Sequence, residues 1–302
     1  MTTTPPPGKI RNISDTARWV AVYRAEETER PDAVFRDPYA RRLMGERGPL
    51  IIASLRKRES MSWPFVARTF LIDKFVTREV AGGCDQVINL AAGLDSRPYR
   101  MDLPPSLAWV EIDLAEIIEE KQEILRNEMP RCRLERIVLD LADESARRAV
   151  FARLGARAKR TLIITEGLIV YLSREQVASL ADDLHAMPGA SRWITDLSSP
   201  RLLKMLDKTM GRRVREAGAP FKFAPEEGPE FFTRHGWKPM DAASMFHEAG
   251  RLRRLPFFWS LLAKLPEPKN WKPSRPWSGI CVFDRLTEKT EMKVEVKVET
   301  GS

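Results

Sequence analysis

Five short apolar runs, each closing on an acid or a glycine turn, alternate with stretches of helical periodicity. This alternation limits what the chain can fold into more than any other feature. The runs are 86–92 (QVINLAA, then Gly93), 107–113 (LAWVEID), 137–140 (IVLD), 161–166 (TLIITE) and 192–196 (RWITD). Between them, 114–127, 144–154 and 174–187 read as helices. Near-continuous apolar strands joined through helices specify a parallel sheet covered on both faces, with right-handed crossovers. The expected fold class is therefore α/β, with a doubly wound, mostly parallel sheet.

Helical and irregular segments flank this core. Residues 1–12, with three consecutive prolines, read as a disordered arm. Ser14 or Asp15 suits an N-cap, with Ala17, Val20, Ala21 and Ala25 at helical spacing behind it. Arg30-Pro31-Asp32 ends that helix, and Asp37-Pro38-Tyr39 opens a short second one. A third helix is expected over 63–80, closed by Gly82-Gly83. Beyond Asp196, 202–223 reads as a basic helix and loop, 226–237 as a helix and turn, and 242–250 as a helix. A Pro- and Trp-rich loop (266–276) precedes a last strand at 280–284, and 288–302 reads as a mobile tail. The expected organisation is one domain over 13–286. It comprises N-terminal helices (13–83), a ligand-binding core (84–198), a lid or acceptor region (199–250) and the last strands (251–286).

Fifty Lys and Arg against 42 Asp and Glu give a net charge of +8, which leaves nucleic acid and anionic surfaces open as partners. The basic runs 212–215 and 251–254 are most simply solvated faces. Three scattered cysteines (Cys84, Cys132, Cys281) argue against a disulfide framework and for a reducing cytoplasm. Three scattered histidines offer little for a metal site, and none is expected. No apolar run reaches the ~18 residues of a membrane span, and the N-terminus lacks the apolar core of a signal peptide. A cytoplasmic chain with no membrane partner is expected.

In an open parallel sheet, ligands bind beyond the carboxyl ends of the strands, near the point where strand order reverses. The first strand ends in Ala91-Ala92-Gly93-Leu94-Asp95, where Gly93 permits close backbone approach or a positive φ. The second ends in Glu111 and Asp113, either of which can accept hydrogen bonds from a ribose diol. The third ends in Asp140-Leu141, which suits the amino edge and face of adenine, and the fourth in Thr165-Glu166-Gly167. Together they imply an adenosine-bearing ligand. The glycine turn is not the G-x-G-x-x-G of dinucleotide sites, and no G-x-x-x-x-G-K-[ST] loop occurs. A nucleoside without phosphates, such as S-adenosylmethionine, needs neither.

The ordered set Ser14-Asp15-Thr16-Ala17, Arg36-Asp37-Pro38-Tyr39-Ala40, Val66-Ala67-Arg68-Thr69, 89–97 (NLAAGLDSR), 110–114 (VEIDL), Asp140-Leu141 and 166–172 (EGLIVYL) resembles the leucine carboxyl methyltransferase-like family. That family of S-adenosylmethionine-dependent methyltransferases includes polyketide O-methyltransferases. The resemblance runs from about residue 14 to 199 and implies a class I, Rossmann-like methyltransferase fold. It also implies roles. Arg68 would pair with the cofactor carboxylate, and Ala91, Gly93 and Asp95 would lie along its methionine portion. Asp113 would hold the ribose, with Glu111 as substitute should the strand end elsewhere. Asp140 and Leu141 would contact adenine, and Glu166 the amino or sulfonium side. Tyr171 would wall the transfer cavity as a positioning residue.

One departure stands out. Ala91 occupies the first glycine of the family's N-L-G-A-G turn. A negative φ there would make the methyl tolerable; otherwise cofactor affinity would suffer. The expected activity is O-methylation of a small or medium organic acceptor, with S-adenosylhomocysteine as product. A carboxylate or acidic phenol is favoured because no general base stands out. The alternatives are an RNA- or DNA-directed methyltransferase and a non-catalytic binding protein. The first lacks support, because Glu166-Gly167-Leu168-Ile169 stands where a [DN]-P-P-[YFW] signature would be.

Overall fold

The computed structural model describes residues 13–53, 62–216, 220–266, 271 and 273–287. The expected arm at 1–12 and nearly all of the expected tail lie outside them.

Seven strands form one sheet in the order β3-β2-β1-β4-β5-β7-β6. They are β1 (Gln86–Leu90), β2 (Ala108–Asp113), β3 (Arg133–Val138), β4 (Thr161–Thr165), β5 (Ala190–Ser198), β6 (Trp237–Ser244) and β7 (Ser278–Arg285). The first five are parallel, while β7 runs antiparallel between β5 and β6. The helices are α1 (Ile13–Glu29), α2 (Ala40–Met44), α3 (Arg47–Ala53), α4 (Trp63–Ala81), α5 (Arg97–Arg100), α6 (Ala115–Leu125), α7 (Glu144–Gly155), α8 (Arg174–Ala186), α9 (Pro200–Glu216), α10 (Met245–Arg251) and α11 (Phe257–Leu262).

Both faces of the sheet are covered, as continuous apolar strands require. On one face, Ile88, Val110, Ile163 and Trp193 pack against Phe151 and Leu154 of α7 and Val177, Leu180 and Leu184 of α8. On the other, Val87, Trp109, Leu162 and Ile194 meet Leu71, Ile72, Phe75 and Val76 of α4 and Met245 and Ala249 of α10. Helices α1, α2 and α3 form a third cluster through Trp19, Tyr23, Leu43 and Ile51, which reaches Leu94 and Tyr99 beside the turn after β1. Strand order reverses between β1 and β4, so the turn after β1 and the Glu166-Gly167 turn after β4 share one crevice.

Two expectations are corrected at the sheet edges. Strand β3 begins at Arg133 rather than near 137: three of its first four residues (RLER) are charged and its ends are exposed, so no apolar run marks its start. Strand β6 occupies residues read from sequence as a turn and the start of a helix. It follows a 3-10 helix (Gly228–His235), carries Pro239 and shifts register between Pro239 and Asp241. An edge strand tolerates both a proline and a bulge, and neither gives an apolar alternation. Ser244 then caps α10, accepting from the His247 N–H.

Candidate functional site

The site grows from the carboxyl ends of β1, β2, β4 and β5 and from one helix laid across them. After β1 the chain turns sharply: Ala91 and Gly93 both take φ of +51°. The Ala92 N–H donates to the Ile112 carbonyl (3.2 Å), and the Gly93 N–H donates to Asp113 Oδ2 (2.6 Å), which lashes the turn to the end of β2. Asp113 Oδ1 accepts from the Leu114 N–H (2.8 Å). Each carboxylate oxygen keeps a lone pair for a further donor. Burial raises the Asp113 carboxyl above the usual aspartate value, against the two N–H donors. The Leu139 N–H donates to the Asp113 carbonyl (2.9 Å), so Asp140 and Leu141 follow directly beside it. Asp140 is exposed and turned back onto the Ala142 N–H (2.9 Å), while Leu141 is half-buried.

A negative φ at Ala91, the condition under which its methyl would sit easily, is not met. Alanine holds a left-handed conformation that glycine takes without strain.

Glu111 and Asp95 are drawn away from the crevice. Strand β2 ends at Asp113, so the condition for Glu111 to replace it does not arise. Glu111 is fully buried, with Oε1 on Lys121 Nζ (2.7 Å) and Oε2 on Arg136 Nε (2.8 Å). Asp95 accepts from Asn89 Nδ2 (2.8 Å) and from the Arg97 guanidinium (3.0 Å) and backbone N–H (3.0 Å). Burial alone would raise the Asp95 carboxyl, but Arg97 and its neighbours hold it far below its usual range. Asn89 Oδ1 is buried at the end of β1 with no hydrogen-bond partner among the described residues.

The β4 side is an ion network. Arg97, almost wholly buried, contacts Asp73 (2.7 Å), Asp95 (3.0 Å) and Glu166 (2.8 Å). Arg100 grips Asp73 with two amino nitrogens (2.7 and 2.8 Å). Arg24 of α1 pairs with Asp37 (2.9 Å), which also accepts from the Ser96 hydroxyl (2.7 Å). Arg68, on α4, directs Nε to Glu166 (3.0 Å) and Nη1 to Asp196 (3.5 Å). Its Nη2 has no hydrogen-bond partner among the described residues. The second Asp196 oxygen accepts from the Gly167 N–H (2.7 Å). Glycine suits this turn: its φ is +63°, and a Cβ would crowd Arg68 Nη1 at 3.2 Å. For Glu166, burial pushes the carboxyl up, but Arg97 and Arg68 outweigh it and the net position is low. For Asp196, burial outweighs Arg68 and the carboxyl is raised.

Tyr171 closes the crevice from a 3-10 turn (Ile169–Tyr171). Its ring stacks on Phe221 (5.9 Å between centroids, 23°), and burial raises its hydroxyl. The Val170 carbonyl accepts from the N–H groups of Lys222 (2.8 Å) and Phe223 (3.2 Å), which fixes that wall.

The fold thus gathers Arg68, Ala91, Gly93, Asp113, Glu166 and Tyr171, sets Asp140 and Leu141 beside Asp113, and turns Glu111 and Asp95 inward. Sequence reasoning passed over Asn89, Asp73, Arg97, Arg100 and Asp196. Asp196 carried a signal as the acid that ends a fifth apolar run, and Asn89 and Arg97 as the two ends of the 89–97 motif, though neither was given a role; Asp73 and Arg100 carried none.

A leucine carboxyl methyltransferase family model matches residues 17–185. A protein of Frankia alni, provisionally named an S-adenosyl-L-methionine-dependent methyltransferase, is 36% identical over 185 residues, 58% of this chain and 65% of that protein. The match therefore spans a little under two thirds of that relative. A second Frankia alni protein of the same provisional name is 32% identical over 250 residues, covering 78% of this chain and 88% of its own. Among solved structures, a DUF574 family protein from Streptomyces avermitilis superposes with a TM-score of 0.58 at 12% identity, covering 89% of this chain and 97% of that one. A provisionally named methyltransferase from Thermobifida fusca gives 0.56 at 14% identity, covering 95% of this chain and all of that one.

Two outcomes follow from this geometry. Ala91→Gly relieves a left-handed alanine and, after glycine's entropic cost, stabilises the fold by about 0.5–1 kcal/mol. Thermal denaturation should show a rise of roughly 1–3 °C. Arg97→Ala leaves Asp73, Asp95 and Glu166 buried with fewer cations, and urea unfolding should show a loss of about 3–5 kcal/mol.

Proposed function

The chain belongs to the leucine carboxyl methyltransferase family and has the class I, Rossmann-like methyltransferase fold; on that premise we propose that it transfers a methyl group from S-adenosylmethionine to an oxygen of a small or medium organic acceptor. The observation that carries this reading is the division of the crevice into two chemistries. Hydrogen-bond acceptors for a nucleoside, Asp113 and Asp140, line the ends of β2 and β3 beside the turn after β1. A buried guanidinium with carboxylates, suited to an amino-acid group, lies at β4 and β5.

The residues fit that cofactor. Asp113 has accepting lone pairs for two ribose hydroxyls, and the Gly93 turn keeps the backbone low beside it. Leu141 offers an apolar contact and Asp140 a carboxylate for an adenine face and amino edge. Arg68 Nη2 is available to a carboxylate, and the orphaned Asn89 Oδ1 and Glu166 can accept from an ammonium. Asp95 acts through Asn89, fixing its amide, and Glu111 acts by anchoring β2 to α6 and β3. Four arginines (Arg24, Arg68, Arg97, Arg100) face five carboxylates (Asp37, Asp73, Asp95, Glu166, Asp196).

S-adenosylmethionine supplies an electrophilic methyl on a sulfonium leaving group, and S-adenosylhomocysteine is the product. The protein's part is therefore to orient and to exclude water, which can contribute roughly 7–11 kcal/mol at best. Tyr171 and Phe221 make an aromatic wall that suits a planar acceptor. Exposed Arg201, Lys204 and Lys208 on α9 favour an anionic one. A carboxylate or an acidic phenol is nucleophilic without a general base, consistent with Asp196 being spent on Arg68 and Gly167. Nucleic acid is not the partner this crevice favours.

Calorimetry with S-adenosylhomocysteine tests the reading. Wild type should bind, and Asp113→Ala and Arg68→Lys should each weaken binding by about 10–100-fold. A wild-type chain that binds neither S-adenosylmethionine nor its product would sink the proposal. Binding without label transfer to any carboxylate or phenol from methyl-labelled cofactor would leave a binding protein instead.

A pH dependence follows as well. Ribose hydroxyls bind the ionised Asp113, whose carboxyl is raised in the folded chain. Affinity is full above that raised value and is lost as pH falls through it. The loss should begin at a higher pH than the ordinary aspartate range near ~4, and Asp113→Ala should abolish this step.

A further inference from the structure

Away from the crevice, one surface runs against the rule that large apolar side chains go inside. Helix α11 (FFWSLL) has no buried residue. Phe257 and Phe258 are 75% and 78% exposed, and Trp259, Leu261, Leu262 and Leu265 are all at least half exposed. The helix is nonetheless seated. Trp259 contacts Trp63 (6.5 Å between centroids) and Phe246 (6.0 Å), and Ala263 closes on Gly250, where an added Cβ would lie 2.5 Å away. A fixed scaffold therefore presents a contiguous apolar projection, and contiguous apolar surface marks an interaction site.

Charge selects the occupant. From residue 249 to 266 the chain holds Arg251, Arg253, Arg254 and Lys264 and no carboxylate. Arg254 is spent on Glu27 and Asp32, and Arg251 contacts Glu248. Arg253, at φ +58°, and Lys264 are exposed beside the apolar residues. A second copy of this face would set like charges against each other. A fluid surface with anionic headgroups accommodates both features, taking aromatic and leucine side chains into the headgroup–acyl boundary while the cations meet phosphate. We infer that α11 and its basic flanks form a peripheral docking site for an anionic phospholipid bilayer. Among the described residues no helix is long and apolar enough to cross a membrane. The expectation of no membrane partner rested on the missing span and the missing signal peptide, and interfacial contact needs neither. This inference is independent of the methyl-transfer reading.

Sedimentation of the full chain with vesicles tests it. One set is phosphatidylcholine alone; the other is phosphatidylcholine and phosphatidylglycerol at about 3:1. Retention on the anionic set, weakened by salt at about 0.5 M, is expected. The Phe257→Ser/Phe258→Ser variant should partition at least about tenfold less while keeping the wild-type melting temperature and cofactor binding. Arg253→Glu/Lys264→Glu should lose the preference for anionic lipid. Retention on neither set overturns the inference, as does equal retention on both or an unchanged Phe257→Ser/Phe258→Ser variant. Sedimentation equilibrium adds a further check: self-association of wild type that this variant abolishes, without vesicle binding, would assign the face to a second copy and overturn it too.

Discussion

Arg97 is the point at which the separate layers of the molecule are joined. Its guanidinium touches a carboxylate from α4 (Asp73), one from the turn after β1 (Asp95) and one from the turn after β4 (Glu166). Asp95 is two residues from Arg97, whereas Asp73 lies 24 and Glu166 69 residues away, so one side chain joins three separate elements. A buried cation is costly unless its donors are satisfied, and Arg97 meets that condition only when all three segments are in place. The network therefore works as a geometric interlock. Arg100 and Arg24 extend it through Asp73 and Asp37 to the N-terminal helices, so α1 is tied to the crevice by charge as well as by packing.

That interlock explains how a site with so many charges stays ordered. Arg68 lies in the same layer, but two carboxylates hold it at 3.0 and 3.5 Å and one of its nitrogens is left over. The chain thus separates structural from binding roles within a single patch. Asp95 and Glu111 have both carboxylate oxygens engaged within the protein and Arg97 meets three carboxylates, whereas Arg68, Asp113 and Asn89 each retain capacity.

What was legible in the sequence follows the same division. The five inner strands announce themselves because both their faces are buried and their side chains are accordingly apolar. Of the edge strands, β3 shows only at its apolar end because it begins on Arg-Leu-Glu-Arg, and β6, bent around Pro239, does not show. Asp113, Asp140 and Glu166 could be read from sequence because strand ends in a parallel sheet point to one place. The pairing of Arg97 with Asp73 could not, because a buried ion pair leaves no periodic trace and its members lie 24 residues apart. The positive φ at Ala91 was hidden for a related reason: a side chain does not announce the strain it carries, whereas a glycine would have.

The grip of Glu166 and Asp196 on Arg68 has one more consequence, which concerns departure rather than arrival. A carboxylate that leaves Arg68 does not expose a naked cation in a low-dielectric crevice, because two resident anions are within reach to take its place. Dissociation is thereby relieved of much of its electrostatic penalty. On the proposed cofactor reading, Arg68 stays paired within the protein after the product departs.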